Sequence, residues 1–341
     1  MTRAWIPTLD LTPFVAGHES GRAELARELD RACRDHGFLQ IVGHAIPDAV
    51  IESMLEATDA FFALPLEQKL LTRPADPAIN RGYAPMGSEA LSYSLGEAAP
   101  APDQFEAFNI GPDEVPDEPF YRDAPHHFFA PNPWPGVPGM RQALTAYFDE
   151  AQRVALTLTD AFALALDLPD RWFRTYVARS TVTLRVNHYE RRSGDAPAVP
   201  GQMRMGAHTD YGIVTVLYAD AVPGLQVLAA DGSFRDVVPE PGALLVNLGD
   251  LTARWTNDRW RSTLHRVVPP RPDAHGAARR RSAALFLDGN YDALISCLPT
   301  CVSAGAPARY PPVSAGEHLF RKIMGPRSAQ RANAGAALER V

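Results

Sequence analysis

The sequence predicts a mainly β protein with α additions: an antiparallel sandwich or barrel, braced by helices that precede it in the chain. Three observations carry this prediction. The spacing of apolar residues changes after residue 180 from about 3.6 to about 2. Beyond that point turn residues separate one short alternating run from the next with no helical pattern between them, which argues against a βαβ sheet. Before it, three segments show the spacing of amphipathic helices.

Residues 20–36 place Ala23, Leu25, Ala26, Leu29, Ala32 and Cys33 at helical spacing, with Ser20 to cap the start and Gly37 to end the helix. FLQIVGH (38–44) reads as a short buried strand, and 48–64 as a second helix with Asp48 as its N-cap. A third helix, from 139 to about 167, carries Leu144, Tyr147, Phe148, Ala151, Leu158 and Phe162. At its length of about 40 Å it can brace a whole sheet. The segment 112–138, with eight prolines, reads as a long loop packed over the body, and its His126 and His127 as ordinary loop residues. Strands follow near 181–190, 213–219, 224–229, 234–238, 243–248, 263–268 and 281–288. The stretch from Arg327 to Val341 reads as a frayed tail or a small helix.

Composition narrows the function classes. A chain of 341 residues, 46% hydrophobic and 21% charged, has an ordinary globular balance and can form one large barrel with helical additions. Its net charge of −7 argues against a general nucleic-acid binder. The absence of a long uncharged apolar run argues against a membrane span, and MTRAWIPTLDLTPF lacks the pattern of a cleaved leader. Three cysteines without a CxxC motif suit free thiols in a reducing cytoplasm better than a thiolate metal site.

The chemistry gathers around GAHTDYG (206–212), which sets His208 and Asp210 two positions apart. Of the remaining histidines, His18, His36 and His318 lie in or beside helical segments and His275 in a solvated turn; His265 lies in a β-branched strand, with Thr263 and Val267 on its face. The 57 residues between His208 and His265 leave room for several strands to wind out and return, as in a jelly roll. Two imidazoles and a carboxylate on one side of an ion leave about three octahedral positions open, an arrangement suited to Fe(II) and oxygen chemistry. A zinc hydrolase also uses such ligands but needs a general base; HExxH is absent and no other Glu is placed for the task. In RRRSAALF (279–286), Arg280, Ser282, Ala284 and Phe286 share one face and Arg281 takes the other. The Arg280–Ser282 pair reads as a carboxylate receptor or as an exposed strand end. In STVTLRVNHYE (180–190), Thr181, Thr183, Arg185, Asn187 and Tyr189 form the polar face, which can meet solvent or a barrel lumen; the lumen is assigned to Asn187 and Tyr189.

Taken together, HxD, a distant STLHRV and RxS beyond it resemble the isopenicillin N synthase-like group of Fe(II)/2-oxoglutarate-dependent dioxygenases. HGFLQIVGHAIP, RGYAPMGSEALSYSLGE and EAFNIGPD add to the likeness, which runs from about residue 5 to about 325. The resemblance implies a double-stranded β-helix, a distorted jelly roll, at 180–300 within a single catalytic domain. Residues 1–110 form its N-terminal region and 325–341 a tail. It further implies that His208, Asp210 and His265 hold iron, that Arg280 and Ser282 bind the distal carboxylate of 2-oxoglutarate, and that Asn187 and Tyr189 position that cosubstrate. Asn257 and Asp258 are expected to form a hairpin turn delivering His265, with Gly206 and Gly212 giving the backbone room to bend. The implied reaction consumes O2 and 2-oxoglutarate, releases succinate and CO2, and hydroxylates a small metabolite, with desaturation and ring formation as variants. Isopenicillin N synthase keeps an Arg-x-Ser pair without using 2-oxoglutarate, so a cosubstrate-independent oxidase is the alternative, and a silent β-barrel binding protein a remote one. Substrate-contact candidates are Arg81, Tyr83, Glu89, Phe105, Phe108, Met205, Tyr211 and Phe286, with Arg81 pairing a substrate carboxylate or a loop backbone. Oligomeric state has no signature in the sequence.

Overall fold

The strands fall into two main sheets and one two-stranded ribbon, in a computed structural model that describes residues 5–76, 78–95, 101–190, 199–270 and 279–332. The first half contributes β1 (Thr8–Asp10), α1 (Thr12–Val15), α2 (Glu19–Asp35), β2 (Phe38–Val42), α3 (Asp48–Phe62) and α4 (Leu66–Leu70). It continues with β3 (Gly82–Ala84), β4 (Glu106–Ile110), α5 (Pro119–Arg122), α6 (Met140–Ala165) and α7 (Arg174–Val177). Then come β5 (Thr183–Tyr189), β6 (Met205–His208), β7 (Val214–Ala219), β8 (Leu225–Leu228), β9 (Phe234–Asp236) and β10 (Leu244–Leu248). The chain closes with α8 (Asp250–Trp255), β11 (His265–Val267), β12 (Arg280–Leu287), β13 (Leu294–Ile295), β14 (Val313–Ser314) and α9 (Ala315–Ala332).

The larger sheet runs β1-β2-β10-β7-β12-β5-β4-β3 and the smaller β6-β11-β8-β9; from β5 to β12 the chain passes back and forth between them, apart from the β8–β9 hairpin, as in a jelly roll. Because side chains alternate along a strand, each strand of the larger sheet has an outer and an inner set. Leu184, Val186, Val216, Val246, Ala283 and Leu285 point outward and join one apolar cluster with Leu144, Phe148, Leu158 and Phe162 of α6. Each such Leu, Val or Phe contributes about 1.5–3 kcal/mol on burial, which makes α6 the brace its spacing predicts. A smaller cluster, including Phe38, Leu225, Val227, Leu245 and Val267, fills one end between the sheets.

All seven expected strands form, most of them shorter than their alternating patterns. The expected helices form with different caps. α2 begins behind His18, and Pro47 stands at the N-cap of α3, so Asp48 is the first helical residue and acts on the helix dipole instead. Gly37 does end α2. Its φ is 62° and its amide donates to Ala32 O at 3.1 Å; a Cβ there would collide with Arg261 O.

Two expectations need correction. The predicted hairpin at Asn257–Asp258 is the end of α8: both residues take positive φ just past Trp255. The Asn257 amide donates to Cys301 O at 3.2 Å and Pro307 O at 3.1 Å, tying down the C-terminal segment. The proline-rich segment is irregular except for the single turn α5. At the C-terminus, helix continues through Ala332; His275 and 333–341 lie outside the described residues. Among the described residues no helix is long and apolar enough to cross a membrane.

Candidate metal centre and its chamber

His208 and His265 are register partners across β6 and β11, which brings residues 57 positions apart in sequence side by side. Their ring centroids are 4.3 Å apart. Asp210 lies just past the end of β6, with Oδ1 3.8 Å from His208 Nε2 and 3.6 Å from His265 Nε2. The three donor atoms lie within 4.8 Å of one another, and they are the one such group among the described residues.

Each ligand is oriented by its other polar atom. His208 Nδ1 lies 2.8 Å from Gly206 O and His265 Nδ1 3.1 Å from Thr263 O, so each ring donates Nδ1–H to a carbonyl and turns the Nε2 lone pair inward. Asp210 Oδ2 accepts from Thr215 Oγ1 and, at 2.6 Å, from Asn247 Nδ2, leaving Oδ1 for the imidazoles. Burial, reinforced by the adjacent His265, lowers His208 and favours the neutral ring that ligates metals. Burial alone would raise Asp210, but the two imidazoles and its hydrogen bonds hold it below the usual carboxylate range.

The peptide after Asp210 is pinned from two directions. Asp250 N donates to Asp210 O at 2.8 Å and Leu251 N to Tyr211 O at 3.2 Å, both from the start of α8. His318 Nε2 of α9 also donates to Tyr211 O, at 3.1 Å, while Lys322 pairs with Asp250 at 2.9 Å. Neither Gly206 nor Gly212 takes positive φ, and the chain bends at Gly212. They provide space: a Cβ at Gly206 would meet Ser92 N at 3.0 Å, and one at Gly212 would collide with Asp288 Oδ1.

The ligands open onto a chamber between the sheets. The predicted polar face of β5, Thr183, Arg185, Asn187 and Tyr189, lines it, as do Arg280, Ser282, Ala284 and Phe286 of β12. Arg281 faces the other way and pairs with Asp59 at 2.9 Å. Register sets Arg280 opposite Tyr189 and Ser282 opposite Asn187. Asn187 Nδ2 lies 3.4 Å from Ser282 Oγ, and the Arg280 guanidinium sits 5.2 Å from the Tyr189 ring centroid. Arg280 is 2% exposed, yet its Nε and Nη1 have no hydrogen-bond partner among the described residues. An orphaned buried guanidinium beside a hydroxyl fits a carboxylate-bearing ligand, and the exposed strand-end reading fails.

The substrate candidates divide. Arg81, Glu89, Met205, Tyr211 and Phe286 line the chamber, whereas Tyr83, Phe105 and Phe108 do not. Phe108 is fully buried and packs on Phe61 at 4.8 Å. Tyr83 donates to Glu106 at 2.6 Å, and Phe105 backs Tyr189 and Arg185 from the inter-sheet core. Arg81 serves a loop: Nη2 donates to Phe128 O at 2.9 Å and Nη1 to Asn80 O and Thr183 Oγ1. Sequence reasoning missed His127, Phe320 and Asp288. His127, treated as an ordinary loop residue, lines the chamber and stacks on Phe320 of α9 with centroids 4.5 Å apart. Asp288 continues the parity of Arg280, Ser282 and Phe286, a signal present in the sequence.

Two family sequence models match the chain: that of the non-haem dioxygenase in morphine synthesis N-terminal region at residues 6–136, and that of the 2OG-Fe(II) oxygenase superfamily at 180–289. The 2-oxoglutarate-Fe(II) type oxidoreductase hxnY of Emericella nidulans is 35% identical over 313 residues, covering 90% of this chain and 86% of the relative. The chain belongs to the 2OG-Fe(II) oxygenase superfamily. Validamycin A dioxygenase of Streptomyces hygroscopicus subsp. limoneus is 34% identical over 324 residues, covering 93% of this chain and 85% of the relative. A full-length Neurospora crassa protein crystallised in complex with alpha-KG and thymine superposes with a TM-score of 0.81 at 31% identity, covering 94% of this chain and 96% of that one. As an oxygenase of this superfamily, isopenicillin N synthase-like in pattern, the protein is an oxidoreductase that uses Fe(II), 2-oxoglutarate and O2 on a small molecule. Its core is the jelly roll common to the superfamily.

Proposed function

We propose that His208, Asp210 and His265 hold the Fe(II), that Arg280 and Ser282 take the distal carboxylate of 2-oxoglutarate, and that the primary substrate is a small ring-bearing metabolite. The observation that carries this reading is the buried Arg280 guanidinium, its Nε and Nη1 unpaired among the described residues, in the same chamber as the three ligands. A dicarboxylate with one end on that guanidinium has its other end free for an ion held at the three donors. Bound Fe(II) supplies dioxygen activation, coupled to cleavage of 2-oxoglutarate into succinate and CO2 with the second oxygen atom inserted into a substrate C–H bond.

The chain's own contribution is positional. Neutral imidazoles and an ionised Asp210 present three fixed donors, and Asn187 and Tyr189 support the receptor from β5. Tyr211 and Phe286, with His127, Phe128 and Phe320 from the loop and α9, supply apolar ring surface that excludes water and suits a flat or cyclic substrate. The Neurospora crassa relative crystallised with thymine supports that size and shape. No side chain is required to remove a proton, in keeping with hydroxylation as the default outcome. Free Cys33, Cys297 and Cys301 suit the cytoplasmic setting included in this proposal.

The test is anaerobic addition of 2-oxoglutarate to iron-loaded protein. A weak visible charge-transfer band is expected, together with succinate formation on admitting oxygen and a ring-bearing metabolite. Iron binding with no band, in the wild-type protein, overturns the assignment.

A further inference from the structure

Asp288 is a buried carboxylate that the metal centre does not use. It follows β12 directly and shares the inward parity of Arg280, Ser282, Ala284 and Phe286, so its side chain faces the chamber. The residue is 5% exposed, and its carboxylate has neither a hydrogen bond nor an ion pair among the described residues. Space for it is made by Gly212, where a Cβ would collide with Oδ1. Two charges act on it: Asp210, of like sign, and Arg81, whose Nη atoms are already given to Asn80, Thr183 and Phe128. Burial, with the Asp210 charge adding to it and Arg81 only partly opposing, raises the group to about 7. Thr181, whose Oγ1 is buried without a partner among the described residues, lines the same chamber.

An ionised carboxylate only accepts hydrogen bonds, and leaving one buried and unpaired is costly. A fold that makes room for such a group beside its reaction chamber has placed an acceptor for something that arrives. We propose that Asp288 grips the primary substrate through a nitrogen that bears hydrogen, a protonated amine or a ring or amide N–H. This rests on the chamber being the substrate site proposed above. A substrate carboxylate is repelled here, and a bare hydrocarbon leaves the acceptor unsatisfied. Aromatic walls from Tyr211, Phe128 and Phe286 favour a nitrogen cation or a flat N–H-bearing ring over an open polyol.

Four six-membered-ring probes test this: piperidine, 2-piperidinone, cyclohexanol and cyclohexanecarboxylate, titrated calorimetrically at about pH 8.5, where Asp288 is ionised and piperidine is still protonated. Titrations use metal-free protein and anaerobic iron- and 2-oxoglutarate-loaded protein. The two nitrogen probes are expected to bind at least about ten-fold more tightly than the other two, in both forms. Asp288→Asn, nearly isosteric, loses about ten-fold or more for piperidine and less for 2-piperidinone; Asp288→Leu loses both preferences. Cyclohexanol or cyclohexanecarboxylate matching the nitrogen probes, or Asp288→Asn retaining full piperidine affinity, overturns the proposal. The metal-free titration keeps the two readings apart. A missing charge-transfer band with nitrogen selectivity intact counts against the 2-oxoglutarate assignment alone, and a normal band without selectivity counts against Asp288 alone.

Discussion

Lys69 Nζ lies 2.5 Å from Glu106 Oε2 with both side chains almost wholly buried, at 2% and 4% exposure. Tyr83 donates to the same oxygen at 2.6 Å, and His188 Nδ1 sits 3.2 Å from Oε1. His188 stacks on Phe62 with centroids 4.8 Å apart and neighbours Asn187 and Tyr189 on β5, so this charged cluster supports the outer side of that strand. Removing one partner of such a pair leaves an uncompensated charge. Lys69→Met is therefore expected to cost about 3–5 kcal/mol in urea unfolding. Pairing it with Glu106→Gln should recover part of the loss.

The same cluster sets an acid limit. Burial alone would raise Glu106, but hydrogen bonds from His188, Lys69 and Tyr83 outweigh it and lower the carboxyl to about 2 from an ordinary 4.5. A depressed folded-state value contributes stability that is complete above the unfolded value and is lost as pH falls toward the folded one. The denaturation midpoint should fall between pH 4.5 and 2 more steeply in wild type than in Glu106→Gln. Parallel profiles would mean that Glu106 is not the group responsible.

Thr215 donates to the Asp210 oxygen that is not the one facing the two imidazoles. Thr215→Val keeps the side-chain volume and removes that hydrogen bond. Ferrous affinity, measured by competition with a chelator, should drop about 10- to 100-fold. His265→Ala, by contrast, should abolish binding.

At the other end of the chamber, Arg280→Met should weaken 2-oxoglutarate binding about 10- to 100-fold, corresponding to about 1.5–3 kcal/mol for hydrogen bonds to a charged group. Iron binding should survive. Arg280→Lys is expected to restore only part of the affinity, because an ammonium cannot reproduce the planar fork. Titration of the charge-transfer band reads both variants.

Alternation made the inner faces of β5 and β12 legible, so the separation of Arg280 from Arg281 and of Asn187 from Val186 follows from sequence. His265 stood out because its strand is β-branched on both sides. β6 escaped because it has four residues, one of them Gly206, and no room to show a period. α8 is barely longer, and the positive φ of Asn257 and Asp258 just beyond it mimics a hairpin turn. Tyr83, Phe105 and Phe108 were misplaced for a different reason. Local pattern says which side a residue faces but not what covers that side, and α3 covers Phe108 through Phe61. His127 and Phe320 meet across 193 residues, a pairing no local period encodes.

The Asp210 carboxylate has a structural consequence of its own. Its two oxygens answer to different sheets: Thr215 and Asn247 hold one from β7 and β10, while the other faces histidines on β6 and β11. An ion seated there works as a rivet through both leaves of the sandwich, so stripping it should loosen the seam along that edge and speed amide hydrogen exchange in β6 and β11 before any in β5 or β12.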